Sequence, residues 1–267
     1  MKKMKLTVVM AALVASLGFT SCLDSAENGG TAVTSVPLKV GYDYSTLKTI
    51  FTDPAGTKYI PTTSATISGE KSQLALVAFS YEYDQLAAQS QKIDITLLGT
   101  PEYIPERTII KGEVPEENTV SVSSLESRNS MVWGYNNYLI LNPVIYINKS
   151  TTNDNLDEEL KKHRFTLYYS GTEATESGVL TLQLRYQITN ETSEEDLTDY
   201  TMSDPYYYVY FDLTSAISTY ENVNGTYPKQ LKVEYEIAST SAPTMDSSKK
   251  RTQTVSFNLV EKQDSSL

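Results

Sequence analysis

The stretch that decides the fold reads Gly178-Val179-Leu180-Thr181-Leu182-Gln183-Leu184-Arg185-Tyr186-Gln187-Ile188. Large apolar or aromatic side chains occupy the even positions from 180 to 186, and polar side chains occupy the odd positions from 181 to 187. Side chains alternate between the two sides of a strand, so this period of two predicts a half-buried antiparallel strand.

The second half of the chain contains further segments of the same kind. Tyr, Val, Ile and Thr, which favour strands, are concentrated in residues 138–141, 144–147, 164–169, 206–213, 231–237 and 252–259. Together with residues 178–188 they make about seven strands separated by turn-rich spacers, the pattern of a β-sandwich. Pro143 is expected to mark a bulge or an edge. Only residues 157–162 suggest a helix, of about one turn.

The first half predicts a smaller β domain. Residues 74–83 and 91–98 alternate and are separated by about seven residues, which suits an antiparallel hairpin. Shorter strands are expected at 38–40, 45–51 and 58–60, and about five short strands in this length fit an OB-type barrel. The predicted fold is therefore all-β, with an OB-like barrel at residues 35–126 and a β-sandwich at 127–262. The boundary is placed in a polar stretch, residues 117–129.

The N-terminus carries the features of an export signal. Lys2, Lys3 and Lys5 precede an uncharged apolar run, residues 6–19, and Phe19-Thr20-Ser21 leads into Cys22. The run has the length of the hydrophobic region of a secretory signal peptide and is short for a membrane span. We predict a signal peptide at residues 1–21 and lipidation of Cys22. A plain cleaved signal that leaves a free cysteine is the alternative.

The residues after the cysteine predict how the protein is attached to the cell. Residues 22–34 are small and polar and are expected to form a flexible tether between the lipid and the fold. The partner at this end is the membrane, held through the acyl chains on Cys22. We expect an outer-membrane location, and both the cell surface and the periplasmic face remain open.

Charge and cysteine content exclude several classes of protein. The formal net charge is −11, and loss of residues 1–21, which carry three lysines and no acids, makes it about −14. Such an acidic chain repels phosphates, so no nucleic-acid partner is expected. Cys22 is the only cysteine, which excludes an intramolecular disulfide.

The order of motifs in the mature chain carries a family resemblance. The motifs are ALVAFSYEYD (75–84), KIDITLLG (92–99), MVWGYNNYLIL (131–141), HRFTLYY (163–169), GVLTLQLRYQ (178–187) and TVSFNL (254–259). The chain resembles the NigD-like lipoproteins of Bacteroidetes, with a departure at Tyr186, where relatives carry His. The resemblance implies an OB-type barrel followed by a β-sandwich. It implies no agreed molecular activity and supplies no catalytic residues.

The residues that could support catalysis or metal binding are few. His163 is the only histidine, and we expect it to be exposed or ion-paired rather than part of a catalytic triad. Zinc needs three or four ligands that this chain does not supply, and the acidic stretches 153–159 and 194–199 are read as solvated loops rather than calcium sites. No sequence signal selects a pair of carboxylates for glycoside hydrolysis. We predict no enzymatic activity, no cofactor and no metal.

The candidate binding residues are tyrosines. In the segment Tyr206-Tyr207-Tyr208-Val209-Tyr210-Phe211, the side chains of Tyr206, Tyr208 and Tyr210 share one face of a strand. If that face is exposed, the three rings could stack on sugars or anchor a protein, and otherwise they stabilise the sheet. Trp133 is expected to be buried where the two domains meet.

These features predict a non-enzymatic lipoprotein of the cell envelope with a binding or assembly role. The partner is another envelope protein in this interpretation. The alternative is a glycan-binding surface lipoprotein that serves polysaccharide uptake.

Overall fold

The structure is a computed structural model that describes residues 30–260 except 83, 86–90, 116–118, 126–128, 173, 175, 204–206 and 241. The predicted signal peptide, Cys22 and the predicted domain boundary between residues 126 and 127 lie outside the described residues. The chain divides into two compact units, residues 1–105 and 106–267. No helix of the described part is long and apolar enough to cross a membrane.

The first unit is a small β-barrel. Its strands are β1 Thr31–Asp43, β2 Lys48–Thr52, β3 Lys58–Pro61, β4 Leu74–Glu82, β5 Lys92–Leu97 and β6 Glu102–Tyr103. The order β1-β2-β3-β5-β4 closes through the pairing of β4 with β1, and β3 runs parallel to β5. Every strand of this ring therefore has two neighbours, as in an OB-type barrel, which confirms the prediction.

The barrel encloses its own apolar core. The buried side chains come from alternate positions of the long strands, as the period of two requires. They are Val36, Leu38, Phe51, Ala75, Val77, Phe79, Ile93 and Ile95.

The second unit contains the long strand predicted at residues 178–188. Its strands are β7 Glu106–Lys111, β8 Ser124–Leu125, β9 Met131–Trp133, β10 Tyr138–Leu141, β11 Pro143–Asn148, β12 His163–Tyr169, β13 Val179–Ile188, β14 Tyr200–Ser203, β15 Val209–Asp212, β16 Gln230–Ala238 and β17 Lys250–Asn258. Two α-helices, α1 Leu156–Leu160 and α2 Thr214–Asn224, and three short 3₁₀ helices connect them: Asn153–Asn155, Asp196–Asp199 and Ser247–Lys249.

Two sheets build this unit as a sandwich. The larger sheet has the order β17-β16-β13-β12-β7-β15-β10-β9, and the smaller one has the order β14-β11-β8. Both sheets and α2 contribute buried side chains to one core, among them Leu182 of β13, Ile145 of β11 and Ile217 of α2. The all-β class and the sandwich are confirmed. The structure describes eleven strands in this unit against the predicted seven, because several are only two to four residues long and because β7 and β8 lie before residue 127.

Pro143 stands where the chain changes sheets. β10 ends at Leu141 in the larger sheet, and β11 begins at Pro143 in the smaller one. Between them, the Asn142 side chain is fully buried and donates to the Tyr207 carbonyl oxygen. The proline therefore marks a crossing between sheets, where the expectation was a bulge or an edge.

Three expectations need correction. The predicted tether overlaps β1, because residues from Thr31 to Thr34 pair with β4 and Ala32 is buried. The division falls after Pro105 rather than at 126/127, because β7 pairs with β12 and β15 of the second unit.

Helix α2 was not expected. Its β-branched, Ser and Asn residues are weak helix formers, and it forms because Ala216, Ile217 and Tyr220 are buried in the core.

Candidate functional site

The tyrosine-rich segment alternates as predicted but does not present its rings to solvent as a set. Tyr206 lies outside the described residues. Tyr207, Val209 and Phe211 belong to the sandwich core, while Tyr208 is half-buried. Tyr210 faces the opposite side of the sheet and is nevertheless fully buried. Tyr210 therefore cannot stack on an external ligand.

Tyr210 belongs instead to a row of buried aromatic rings across β9, β10 and β15. Its ring meets that of Tyr138 edge to face at 5.4 Å, and Tyr138 lies 5.9 Å from the buried Trp133. The Tyr210 hydroxyl donates to Glu106 Oε2 at 2.7 Å. Cross-strand aromatic neighbours of this kind stabilise a sheet, which is the structural alternative recognised in the sequence.

An open cleft of about 510 Å³ lies beside this row. Its lining consists of Glu106, Arg107, Thr108, Ile109, Asp212 and Ser215. Both carboxylates already accept hydrogen bonds from the fold, Glu106 from Tyr210 and Asp212 from the Thr214 backbone N–H at 2.9 Å. Burial, and then the nearby charges of Asp212 and Glu106, raise the pKa of Tyr138, so its hydroxyl keeps its proton at neutral pH.

His163 is fully buried, which corrects the expectation of an exposed side chain. Its Nδ1 is 2.6 Å from the Tyr186 hydroxyl, and its ring stacks on that of Tyr186. Its Nε2 is 3.6 Å from Glu159 Oε1, a position in which an ion pair requires a protonated imidazole. The separation is too long for a hydrogen bond.

Glu159 is held among several donors although it is nearly buried. Burial acts to raise the pKa of its carboxyl, but contacts from His163, Lys162 and the Asn148 backbone N–H outweigh it and lower the pKa to about 2. The Lys162 Nζ lies 2.7 Å from Glu159 Oε2. Glu159, His163 and Tyr186 thus form a buried polar chain that links α1, β12 and β13.

The acidic stretch 194–199 caps loops, whereas the stretch 153–159, which was expected to be a solvated loop, forms a 3₁₀ helix and most of α1. Glu194 Oε1 accepts from the Thr244 hydroxyl and from the backbone N–H groups of Met245 and Asp246. Asp196 Oδ2 accepts from the Thr192 and Ser193 backbone N–H groups. Within the described ranges, no three His, Cys, Asp or Glu side chains are grouped so that they could hold a metal ion.

Among the described residues of the first unit, the two most exposed large apolar side chains, Tyr44 and Leu47, lie in the turn between β1 and β2. We call this turn together with the end of β1 the hairpin tip (residues 42–47). Tyr44 is 84% exposed, Leu47 is 72% exposed and Tyr42 is 47% exposed. The rings of Tyr42 and Tyr44 meet edge to face at 5.1 Å. The tip therefore presents a preformed pair of aromatic rings beside an aliphatic side chain.

The backbone of the hairpin tip is defined by local contacts. Asp43 Oδ1 accepts from the Ser45 backbone N–H at 2.9 Å and from the Ser45 hydroxyl. These hydrogen bonds lower the pKa of the Asp43 carboxyl, so they persist at neutral pH. Leu47 adopts a left-handed conformation with φ of 54°, which costs a non-glycine residue about 1 kcal/mol.

The strand predicted at residues 45–51 conceals this tip, because Thr, Ile and Phe favour strands. The signal that could have revealed it is the spacing of Asp43 and Ser45, which is typical of an Asx turn.

Comparison with solved structures places the fold among Bacteroides and Parabacteroides proteins. A Bacteroides fragilis protein described as a "Putative lipoprotein" aligns with a TM-score of 0.70 at 19% identity, over 87% of this chain and 100% of its own. An uncharacterized protein from Parabacteroides merdae aligns with a TM-score of 0.52 at 15% identity, over 85% of this chain and 100% of its own. A NigD-like immunity protein from Bacteroides caccae aligns with a TM-score of 0.44 at 12% identity, over 84% of this chain and 91% of its own.

The first two likenesses show a shared fold. The barrel followed by a sandwich that the resemblance to NigD-like lipoproteins implies is the observed fold, and the structure described as a "Putative lipoprotein" shares it. No family model matches the chain, and no curated protein matches it in sequence.

Proposed function

We propose that this protein is a non-enzymatic lipoprotein of the cell envelope that binds another envelope protein through the hairpin tip of its barrel. The observation that carries the proposal is the exposure of Tyr42, Tyr44 and Leu47 on one turn. Tyrosine is enriched at protein interfaces because it adds apolar area and a hydroxyl at low entropic cost.

The conformation of Leu47 supports a binding role for the tip. A left-handed leucine costs free energy, and a leucine that is 72% exposed recovers little of it by burial. Strain that the fold itself does not reward is a feature of binding and switching segments. A partner that buries Leu47 and Tyr44 would provide the missing apolar contact.

The envelope location rests on the N-terminal sequence. Residues 1–21 and Cys22 have the pattern of a lipoprotein signal, and acyl chains on Cys22 would hold the protein at the membrane. We place the anchor in the outer membrane, with both leaflets open.

Site-specific photo-crosslinking in living cells tests the proposal. A photoreactive residue is placed at Tyr44 of the full-length protein, and a matched control places it at Thr96, an exposed residue of β5 on the same barrel. We expect one discrete protein adduct from position 44 and none from position 96. A second variant, which carries Leu47→Ser in addition to the photoreactive residue at position 44, should lose the adduct.

Other outcomes would contradict the proposal that a protein partner binds the hairpin tip. A heterodisperse adduct that is sensitive to glycosidases would move the site to the glycan-binding alternative. Equal adducts from positions 44 and 96, or no adduct from either, would remove the hairpin tip as the binding site.

A further inference from the structure

Three lysines lie side by side on the outer surface of the barrel of the first unit. Lys39 of β1 pairs with Thr52 of β2, and Thr52 pairs with Lys58 of β3. Lys58 in turn pairs with Lys92 of β5. Paired residues of neighbouring strands point to the same side of a sheet, and the strands lie about 5 Å apart. We call Lys39, Lys58 and Lys92 the basic row.

The side chains of the basic row point to solvent. All three lysines are exposed, whereas Leu38 and Ile93, which stand next to two of them in sequence, are buried in the barrel core. Successive side chains of a strand point to opposite faces. The register and the burial pattern therefore place the three ammonium groups together on the outside of the barrel.

The fold does not compensate the charges of the basic row. Neither Lys39 nor Lys58 forms an ion pair with a described residue. Asp53, the carboxylate of the β2–β3 turn, accepts from the Thr57 backbone N–H at 2.9 Å. Lys58 and Lys92 are like charges directly opposite each other, an arrangement that destabilises a sheet. The row therefore costs the barrel free energy that the described contacts do not return.

Charge is distributed unequally between the two units. Residues 30–105 carry five lysines and seven acids, a formal charge of −2, whereas residues 106–267 carry 14 basic and 24 acidic residues, a formal charge of −10. The basic row lies on the less acidic unit, with Asp94 of β5 as a neighbouring exposed acid. An anionic surface would therefore attract the row and repel the second unit.

The predicted anchor would bring such a surface within reach. Strand β1 begins at Thr31, nine residues after Cys22, and a chain of that length spans about 30 Å when it is fully extended. A lipid on Cys22 would thus keep the barrel close to the head groups of the membrane. At physiological ionic strength, charges act over about 8 Å, so the row would act only where it meets the surface.

We propose that the basic row binds the anionic head groups of the membrane that holds the anchor and so turns this face of the barrel toward the lipid. Clusters of about four to eight basic residues mark proteins that bind anionic lipid through charge. Three lysines therefore orient an anchored protein and do not replace its anchor. This inference rests on the lipid proposed at Cys22 and is independent of the hairpin tip.

Fluorescence quenching in vesicles tests the orientation. The acylated protein with Ala55→Cys, an exposed position of the β2–β3 turn, is labelled at the added thiol and reconstituted with lipid that carries a quencher on its head group. We expect at least twofold stronger quenching in equal parts of phosphatidylcholine and phosphatidylglycerol than in phosphatidylcholine alone. The difference should vanish at about 1 M salt, where the Debye length is about 3 Å. A label at Thr201→Cys, on β14 of the second unit, should gain no quenching.

Two double variants of equal net charge separate the row from charge in general. Lys39→Glu with Lys58→Glu should abolish the gain in quenching, whereas Lys71→Glu with Lys229→Glu, two exposed lysines outside the row, should keep it. Both should unfold at the temperature of the wild type. Equal quenching in the two kinds of vesicle, or equal loss in the two double variants, would overturn the inference and leave the anchor in place. Failure of the wild type to incorporate into phosphatidylcholine alone would overturn the anchor and this inference with it.

Discussion

Glu159, His163 and Tyr186 are polar side chains whose functional groups lie inside the sandwich. Glu159 is 4% exposed and His163 is fully buried. Buried polar groups are costly unless they are paired. The Tyr186 hydroxyl is bonded to His163 Nδ1, and Glu159 contacts Lys162 and the Asn148 backbone N–H, whereas His163 Nε2 is buried without a hydrogen-bond partner among the described residues. The network therefore serves the fold, and its carboxylate makes stability depend on pH.

The first prediction concerns the loss of that stability in acid. The pKa of Glu159 is about 2 in the folded protein, below the usual value of 4.5. A lowered pKa stabilises the fold above pH 4.5, and the contribution is lost as the pH falls from about 4.5 toward 2. We expect wild type to lose about 2 kcal/mol more than Glu159→Gln over this fall. Urea unfolding monitored by the fluorescence of Trp133, the single tryptophan, measures it.

The comparison between these two proteins removes the effect of the other carboxylates. Both titrate the same remaining acids, so only the difference in slope reports Glu159. Parallel pH profiles for wild type and Glu159→Gln would show that this carboxyl does not titrate with folding.

At the scale of elements, the turn between β9 and β10 joins two edges of the larger sheet. Asn136 is 4% exposed and has a φ of 69°. Its side-chain amide donates to the Tyr227 hydroxyl and to the Val260 carbonyl, and its amide oxygen accepts from the Val260 N–H. The bidentate contact with Val260 imitates one step of a β ladder and ties the segment after β17 to the β9–β10 turn.

The second prediction separates the hydrogen bonds of the Asn136 side chain from the left-handed conformation of its backbone. Asn136→Gly keeps the left-handed conformation accessible and loses the three hydrogen bonds, so we expect a cost of about 1–3 kcal/mol. Asn136→Ala loses the same bonds and also strains the backbone, which adds about 1 kcal/mol. Urea unfolding of the three proteins at neutral pH gives the order. If the glycine variant is as stable as wild type, the amide contacts do not hold the turn.

At the scale of the whole molecule, two β units with separate cores follow a stretch that predicts export and lipidation. Without residues 1–21 the chain would carry a formal charge of about −14, which disfavours contact with anionic head groups. Under the proposed anchor, attachment to the membrane would therefore depend on acyl chains on Cys22 rather than on the protein surface.

The third prediction tests this attachment. Cys22→Ser removes the thiol that we propose is acylated, so we expect loss of incorporation of a palmitate analogue and recovery of the protein in the soluble fraction. Ser21→Ala keeps a small residue before the cysteine and should remain labelled and membrane-bound. A Cys22→Ser protein that stays in the membrane fraction would point to attachment by another route.

Elements whose conformation depends on neighbouring residues were predicted more accurately than elements that depend on distant contacts. The strands β4, β5, β13, β16 and β17 were predicted within one to two residues because their alternation extends over six residues or more. Helix α2 and the start of the second unit at Glu106 were missed. The weak helix formers of α2 and the largely exposed residues of β7, an interior strand of the larger sheet, take their conformations from contacts far along the chain.

The tyrosines illustrate the same limit. The alternation of residues 207–211 was correct, but the buried state of Tyr210 depends on Glu106 and Tyr138, which lie on other strands. The exposed tyrosines at positions 42 and 44 have the same composition as buried ones. Only the turn at Asp43 and Ser45 distinguishes them.

The sequence by itself determined the all-β class, the OB-type barrel followed by a sandwich, and Cys22 as the only cysteine. The first two features depend on periodicity along neighbouring residues. The tertiary structure decided that β7 belongs to the sandwich, that His163 is buried beside Glu159 and Tyr186, and that Tyr44 and Leu47 of the hairpin tip are exposed. Burial and strand pairing are set by residues many tens of positions apart, so no local pattern encodes them.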